Sequence, residues 1–216
     1  MQKNNNAPEM YVLSYFTLRI AVGILGIILP FILILGSIIL DGKTEIINSI
    51  SSYYHLHIGN ALVGILCAVA LFLFAYKGYD FRDNLAGHLG GIFALGIAFL
   101  PNNTVNPGTL INILHLTSAC LFFLVLVYFS IFLFTSSDQP KPYSKAKRNR
   151  NIVYYISGFT MLFCLVLIGL YMLWLKKYPF FVNLKPAFWL ETVALIAFGI
   201  SWITKGQAIF KDAVAN

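Results

Sequence analysis

The chain has 216 residues, of which 59% are apolar and only 11% are charged, and its formal net charge is +7. Soluble proteins carry about 25% charged residues, so this composition excludes a water-soluble domain. It also argues against a nucleic-acid-binding protein, because the basic residues lie in loops beside apolar stretches and form no basic domain.

Six long apolar stretches follow one another along the chain, and each is close to the roughly 20 residues that cross a bilayer core. Pro30 lies inside the first stretch, where a proline removes a backbone hydrogen bond, so we expect a kink there. An amphipathic segment, 46–57, precedes the second stretch. The sequence predicts a single all-α integral membrane domain over 1–216, a bundle of six transmembrane helices with spans at about 12–40, 58–76, 85–100, 110–134, 152–175 and 188–204.

Lysine and arginine in the short loops indicate the orientation of the bundle, because basic residues stay mainly on the cytoplasmic side. One side of the predicted topology carries ten basic residues, half of them in the segment 141–150. The other side carries four, which are Lys43, Lys176, Lys177 and Lys185. We therefore expect both termini to face the cytoplasm.

The three cysteines, Cys67, Cys120 and Cys164, lie near the middle of apolar spans. An odd number without CxxC spacing argues against a disulfide framework and against a zinc knuckle. We interpret them as small packing residues.

Several polar residues fall at one depth on the predicted outer side. His115 lies about one turn into the fourth span, with Asn112 and Ser118 three residues to either side, a spacing that favours a shared helix face. Glu191 lies at a similar depth in the sixth span, and His55 precedes the second span. Because ionisable groups are costly inside a membrane, we predict that these five residues line an outward-facing pocket for a lipid or small amphiphile.

The same residues allow a second hypothesis, because histidines and a carboxylate are ligands that zinc prefers. His55, His115 and Glu191 would then hold the metal of a zinc-dependent membrane lipid hydrolase, with Glu191 or a histidine as general base. A structural interpretation also stays open, in which His115 makes an interhelical hydrogen bond and Glu191 faces water. If the second helix begins early, Ser51, His55 and Gly59 share one face.

Charged residues also gather on the predicted inner side. Arg19 lies about two turns into the first apolar stretch, and Asp80 and Asp83 lie in the turn between the second and third spans. We predict a structural ion pair between Arg19 and Asp83 that holds this turn. His88 lies among glycines that allow close helix approach, where an interhelical hydrogen bond is the favoured interpretation.

Three segments of the chain, 49–55, 78–84 and 198–206, resemble a group of small bacterial six-span inner-membrane proteins of unknown function. The likeness covers most of the chain and implies the same topology and membrane. A weaker likeness, carried by Ser51-x-x-x-His55 and His115, is to the alkaline ceramidase and adiponectin-receptor superfamily of seven-span zinc hydrolases. That likeness implies a zinc site, although the chain lacks the superfamily's HxxxH pair, has Glu191 on its last span instead and has one span fewer.

The leading hypothesis is a membrane protein that binds a lipid or small amphiphile and needs no cofactor. The alternatives are a zinc hydrolase and a subunit or assembly factor of a membrane complex. Membrane lipids are the expected partners, nucleic acid is not, and the sequence leaves open a homo-oligomer or a partner membrane protein.

Overall fold

A computed structural model describes residues 7–78, 80–102, 108–137 and 142–211, with side chains from Tyr15 onward. This part of the chain is helical and contains no strand. Six long helices, one short helix and a 3-10 helix make up the fold. They are α1 (Ala7–Asp41), the 3-10 helix (Ile50–His55), α2 (Gly59–Phe74), α3 (Phe81–Phe99), α4 (Leu110–Tyr128), α5 (Lys145–Leu170), α6 (Pro179–Asn183) and α7 (Pro186–Lys205).

The long helices match the six predicted apolar stretches, with differences at their ends. α4 and α5 continue through π-helical turns, Phe129–Leu133 and Tyr171–Leu175, which extend them close to the predicted ends at 134 and 175. α5 begins at Lys145, seven residues before the predicted start, because the polar segment before Ile152 is helical too. Sequence analysis did not predict α6.

The segment before α2 is not an early start of that helix. Leu56 has extended backbone angles (φ −101°, ψ 166°), which separates the 3-10 helix from α2. Ser51, His55 and Gly59 therefore do not continue along one α-helical face, because the condition of that prediction, an early start of the second helix, is not met.

Two contacts of α1 mark the opposite ends of the bundle. At one end the Asp41 carboxylate accepts a hydrogen bond from the backbone N–H of His57 at 2.8 Å, just before α2. At the other end the Tyr15 hydroxyl accepts one from the backbone N–H of Lys77 at 3.1 Å, just after α2. We name these the Asp41 end and the Tyr15 end. α2 therefore runs from the Asp41 end to the Tyr15 end.

α3 returns to the Asp41 end. Asp80 and Asp83 form a reciprocal capping box at its N-terminus, so the helix starts at Phe81, four residues before the predicted span. Just beyond its C-terminus, the side chain of Asn102 donates a hydrogen bond to the Ser51 hydroxyl at 3.1 Å. Because Ser51 lies in the 3-10 helix beside the start of α2, α2 and α3 form an antiparallel pair between the two ends.

The six long helices form a closed series of contacts in the order α1, α2, α3, α4, α5, α7 and back to α1. α1 and α7 approach most closely at Gly23 and Gly199, where a Cβ on Gly23 would lie 2.6 Å from the Gly199 carbonyl oxygen. Small residues permit such backbone contact in membrane bundles. On the same helix, the buried ring of Trp202 packs edge-on against Tyr76 and Phe134 in the core.

Within the described part of the chain, four helical segments are long and apolar enough to cross a membrane, and they are Tyr15–Asp41, Leu110–Leu133, Lys145–Leu175 and Pro186–Lys205. α2 is apolar but shorter, with 16 residues. Large apolar side chains such as Leu35, Leu173 and Phe163 are exposed on the outer faces of these helices, by 60%, 75% and 63%. An exposed apolar surface of this kind suits lipid rather than water, and the bundle is that of a membrane-embedded protein.

Candidate ligand-binding site

The 3-10 helix at the Asp41 end is the centre of the candidate site, and buried contacts hold it in position. The Tyr53 side chain is fully buried, its ring lies 6.0 Å from that of Phe188 on α7, and its hydroxyl accepts a hydrogen bond from the backbone N–H of Ile47 at 3.3 Å. Burial raises the pKa of the Tyr53 phenol, so the hydroxyl stays protonated at neutral pH. The backbone N–H of Ile50 donates to the Glu191 carboxyl group at 2.6 Å.

Beneath this helix lies a buried cavity of about 60 Å³. Because a water occupies about 30 Å³ in the liquid, the cavity has room for about two waters or a short apolar group. Most of its lining is aliphatic or aromatic, and its polar side chains are Ser51, His115 and Glu191. Two separate helices, α4 and α7, therefore bring two of the predicted site residues, His115 and Glu191, to one small cavity.

A hydrogen bond to Leu100, the residue that caps the C-terminus of α3, orients the His115 ring. Its Nδ1 lies 2.5 Å from the carbonyl oxygen of Leu100, and its side chain is almost fully buried. A carbonyl oxygen only accepts, so Nδ1 carries the proton. In the neutral ring the free lone pair is then on Nε2. His115 thus makes an interhelical hydrogen bond and also lines the cavity.

His55 also forms a hydrogen bond to the backbone that follows α3. Its Nε2 lies 2.6 Å from the backbone carbonyl oxygen of Asn102, while the Asn102 side chain binds Ser51. His55 is exposed. It lines neither the cavity nor a larger space on the other side of the 3-10 helix. His55 and His115 together fix the backbone that follows α3.

A larger space of about 390 Å³, which we name the vestibule, lies on the other side of the 3-10 helix. Its volume falls in the range of about 300–1,000 Å³ that is typical of small-molecule sites. Six of its lining residues are polar, and they are Asn48, Ser49, Ser52, Asn102, Asn112 and Lys176. The remainder is mainly apolar and consists of Leu116, Tyr171, Met172, Val182 and Ala187.

The vestibule and the buried cavity are neighbours. On α4 the vestibule is lined by Asn112 and Leu116, and the cavity by His115, Ala119, Phe122 and Phe123. On α7 the vestibule is lined by Ala187, and the cavity by Glu191 and Leu195. The two spaces therefore overlap in depth on α4, and the cavity extends further into the bundle than the vestibule.

Two predicted site residues, Asn112 and Ser118, do not line the cavity. Asn112 lines the vestibule, away from His115 and Glu191. Ser118 lines neither space; instead its hydroxyl packs against α3, where a Cβ on Gly96 would lie 2.5 Å from the Ser118 Oγ. The shared helix face expected for Asn112, His115 and Ser118 therefore divides between the vestibule, the cavity and the α3 interface.

Of the three predicted zinc ligands, His115 and Glu191 line the cavity and His55 does not. Within residues 7–78, 80–102, 108–137 and 142–211, no group of three His, Cys, Asp or Glu side chains is arranged to hold a metal ion. His55 and His115 each have one ring nitrogen engaged by a backbone carbonyl, and the Glu191 carboxyl group is bound to the backbone of Ile50.

At the Tyr15 end, Arg19 packs against aromatic rings. Its guanidinium lies 4.0 Å from the ring centroid of Tyr15 and 5.5 Å from that of Tyr76, distances that suit cation–π contact. Asp83 caps α3 and acts electrostatically on the same Tyr76. Arg19 and Asp83 thus both lie near one buried phenol, and a direct ion pair between them stays a prediction.

Other basic residues counted for the orientation are anchored in the fold. Lys147 donates to the carbonyl oxygen of Phe134 at 3.0 Å, and Arg150 donates to that of Phe210 at 2.6 Å. Lys185, by contrast, donates to the Asn48 side chain at the Asp41 end. Lys3 and Lys141 lie outside the described residues.

Sequence analysis missed most of the polar vestibule wall. Asn48, Ser49 and Ser52 were visible only as a polar run before the second span, and Asn102 only as the residue after Pro101. Lys176 was counted as an orientation signal alone. Lys176 lines the vestibule because of the π-helical turn at the end of α5, and no sequence pattern predicts that turn.

Taken together, the fold and site define a membrane-embedded helical bundle with a two-part pocket at one end. Comparison with known proteins adds no relative, because no protein-family model, no curated protein and no solved structure matches the chain.

Proposed function

We propose that this protein is a six-span membrane protein that binds a lipid or small amphiphile in the vestibule. The observation that carries the proposal is that both polar and apolar side chains line the vestibule, a space of about 390 Å³. A polar head would face the amide, hydroxyl and ammonium groups, and an apolar body would face Leu116, Met172 and Val182. The buried cavity would admit a short apolar tip or ordered water.

The path of α2 and α3 supports the count of six spans. Each runs between the Asp41 end and the Tyr15 end, as α1 does. The 16 residues of α2 rise about 24 Å, somewhat less than a bilayer core of about 30 Å. Local thinning of the bilayer accommodates such a mismatch at modest cost.

The distribution of basic residues supports an orientation with the Tyr15 end in the cytoplasm. Ten basic residues of the short loops and termini belong to that side and four to the other. Both termini are then cytoplasmic, and the vestibule opens toward the outer face. The bacterial inner membrane is the location that the resemblance of segments 49–55, 78–84 and 198–206 implies.

A filling substitution tests the binding function. Leu116→Trp adds bulk inside the vestibule, whereas Leu114→Trp places the same side chain on the exposed face of the same helix. We expect lipids or amphiphiles that co-purify with the wild-type chain, measured by mass spectrometry, to be lost from Leu116→Trp and retained by Leu114→Trp. Equal retention by both variants, each folded in mild detergent, contradicts the proposal.

A further inference from the structure

We propose that the vestibule selects an amphiphile with an anionic head, a phosphate or a carboxylate. This inference rests on the proposed function and specifies its ligand. Lys176 is the charged side chain in the vestibule wall, and it is a cation; neither Asp nor Glu lines the space among the described residues. The ligand that complements such a wall is an anion.

The position of Lys176 is a consequence of the π-helical turn at the end of α5. The backbone N–H of Lys176 bonds to the carbonyl oxygen of Tyr171, five residues earlier, at 2.8 Å. A π-helical turn aligns residues five apart, whereas a regular α-helix at 100° per residue would turn them about 140° from each other. Tyr171 and Lys176 therefore both line the vestibule. The next residue, Lys177, instead lies over the ring of Tyr178, with Nζ 5.2 Å from its centroid.

The carboxyl groups at the Asp41 end do not offset this charge. Asp41 binds the ring and the backbone N–H of His57, and Glu191 binds Ile50 on the cavity side of the 3-10 helix. Glu45 is exposed and lines neither space. Among the described residues, no carboxyl group in the vestibule wall therefore offsets the positive charge of Lys176.

Hydrogen-bond donors reinforce the same preference. The Asn48 side-chain oxygen accepts from the ammonium group of Lys185 at 3.0 Å, which leaves the Asn48 amide hydrogens as donors in the vestibule wall. The ammonium group of Lys185 is a second positive charge, and it lies next to the Asn48 side chain. Ser49 and Ser52, whose hydroxyl oxygens lie 2.7 Å apart, add hydroxyl groups to that wall. Amide and hydroxyl donors around an ammonium group are the usual surroundings of a bound phosphate or carboxylate.

Three probes with one chain length test the inference, on the full chain in nanodiscs of zwitterionic lipid. Octyl phosphate and octanoate carry an anionic head, and octyl glucoside carries a neutral one; each is used below its micelle concentration. We expect wild-type protein to bind the two anionic probes about tenfold more tightly than the glucoside. Lys176→Gln removes this preference, while the matched control Lys177→Gln keeps it.

The outcomes separate this inference from the proposed function. Equal affinity of the wild type for all three probes, or equal effects of Lys176→Gln and Lys177→Gln, overturns the anionic head but leaves amphiphile binding intact. Binding of inorganic phosphate as tightly as octyl phosphate retains the anion preference and contradicts the amphiphile. If the wild type binds none of the probes, both proposals fail.

Discussion

The backbone N–H of Ile50 donates to the carboxyl group of Glu191 at 2.6 Å, across 141 residues of sequence. This hydrogen bond joins the 3-10 helix between α1 and α2 to the last helix of the bundle. It also forms the boundary between the two parts of the site, because Ile50 and Glu191 line the buried cavity while Ser49 and Ser52 line the vestibule. The position of the 3-10 helix, and with it the shape of both spaces, depends on this contact.

Removing the Glu191 carboxyl group is expected to destabilise the fold. Glu191→Ala leaves the Ile50 N–H without its acceptor, which costs about 1–3 kcal/mol in the free energy of unfolding. Glu191→Gln keeps an amide oxygen at the same place, so we expect a smaller loss. Thermal unfolding in mild detergent measures both. Glu45→Ala, at an exposed carboxylate, is the control, and an equal loss in Glu45→Ala and Glu191→Ala contradicts the role of the hydrogen bond.

The two amide replacements of His115 are expected to differ. Asparagine places an N–H near the position of Nδ1, and glutamine places one near Nε2, so only His115→Asn keeps a donor for the Leu100 carbonyl oxygen. We expect His115→Gln to be less stable than His115→Asn by about 1 kcal/mol, measured by thermal unfolding. The opposite order would mean that Nε2 makes the more important contact.

Alanine at the α1–α7 contact is expected to force the two helices apart. A Cβ on Gly23 meets the Gly199 carbonyl oxygen at 2.6 Å and the Ile203 side chain at 2.7 Å, so Gly23→Ala should cost about 1–3 kcal/mol. Gly64→Ala is the matched control, because Gly64 has nothing within 4 Å of its Cβ position and alanine favours the helix there. Unfolding temperatures should fall for Gly23→Ala and stay level or rise for Gly64→Ala.

Cysteine labelling tests the six-span topology and its orientation. In a chain with Cys67, Cys120 and Cys164 replaced, we expect a membrane-impermeant maleimide to label Lys43→Cys in intact cells. Lys77→Cys, in the turn between α2 and α3, should react only after the membrane is opened. Labelling of both in intact cells would mean that α2 does not cross the membrane, and the reverse pattern would invert the orientation.

Hydropathy determined the number and approximate place of the long helices, because the length and apolar character of a segment are local properties. The predicted fourth and sixth spans, 110–134 and 188–204, agree with α4 plus its π-helical turn and with α7 to within two residues. The start of α5 at Lys145 was missed because its first turns are polar. Lys147 and Arg150 are nevertheless buried there, by contacts with distant carbonyl groups that only the folded chain provides.

The candidate site was predicted in part, and the divergence has a geometric cause. His115 and Glu191 were expected to share a pocket from their common depth, and they line one cavity. Asn112 and Ser118 were grouped with His115 by spacing of three. At 100° per residue, however, two such steps separate Asn112 from Ser118 by about 120° around the helix, and Ser118 reaches α3 instead.

By itself, the sequence determined the class of this protein: its apolar stretches and its scarcity of charge exclude a water-soluble domain and predict a helical membrane bundle. Only the tertiary structure decided which helices are neighbours, how the 3-10 helix divides the pocket, and that Lys176 lines it. Helix order depends on contacts between residues far apart in the chain, such as Ile50 with Glu191, and the direction of Lys176 depends on one extra residue in a helical turn. Neither of these is encoded in local hydropathy, which records only how each segment partitions between water and lipid.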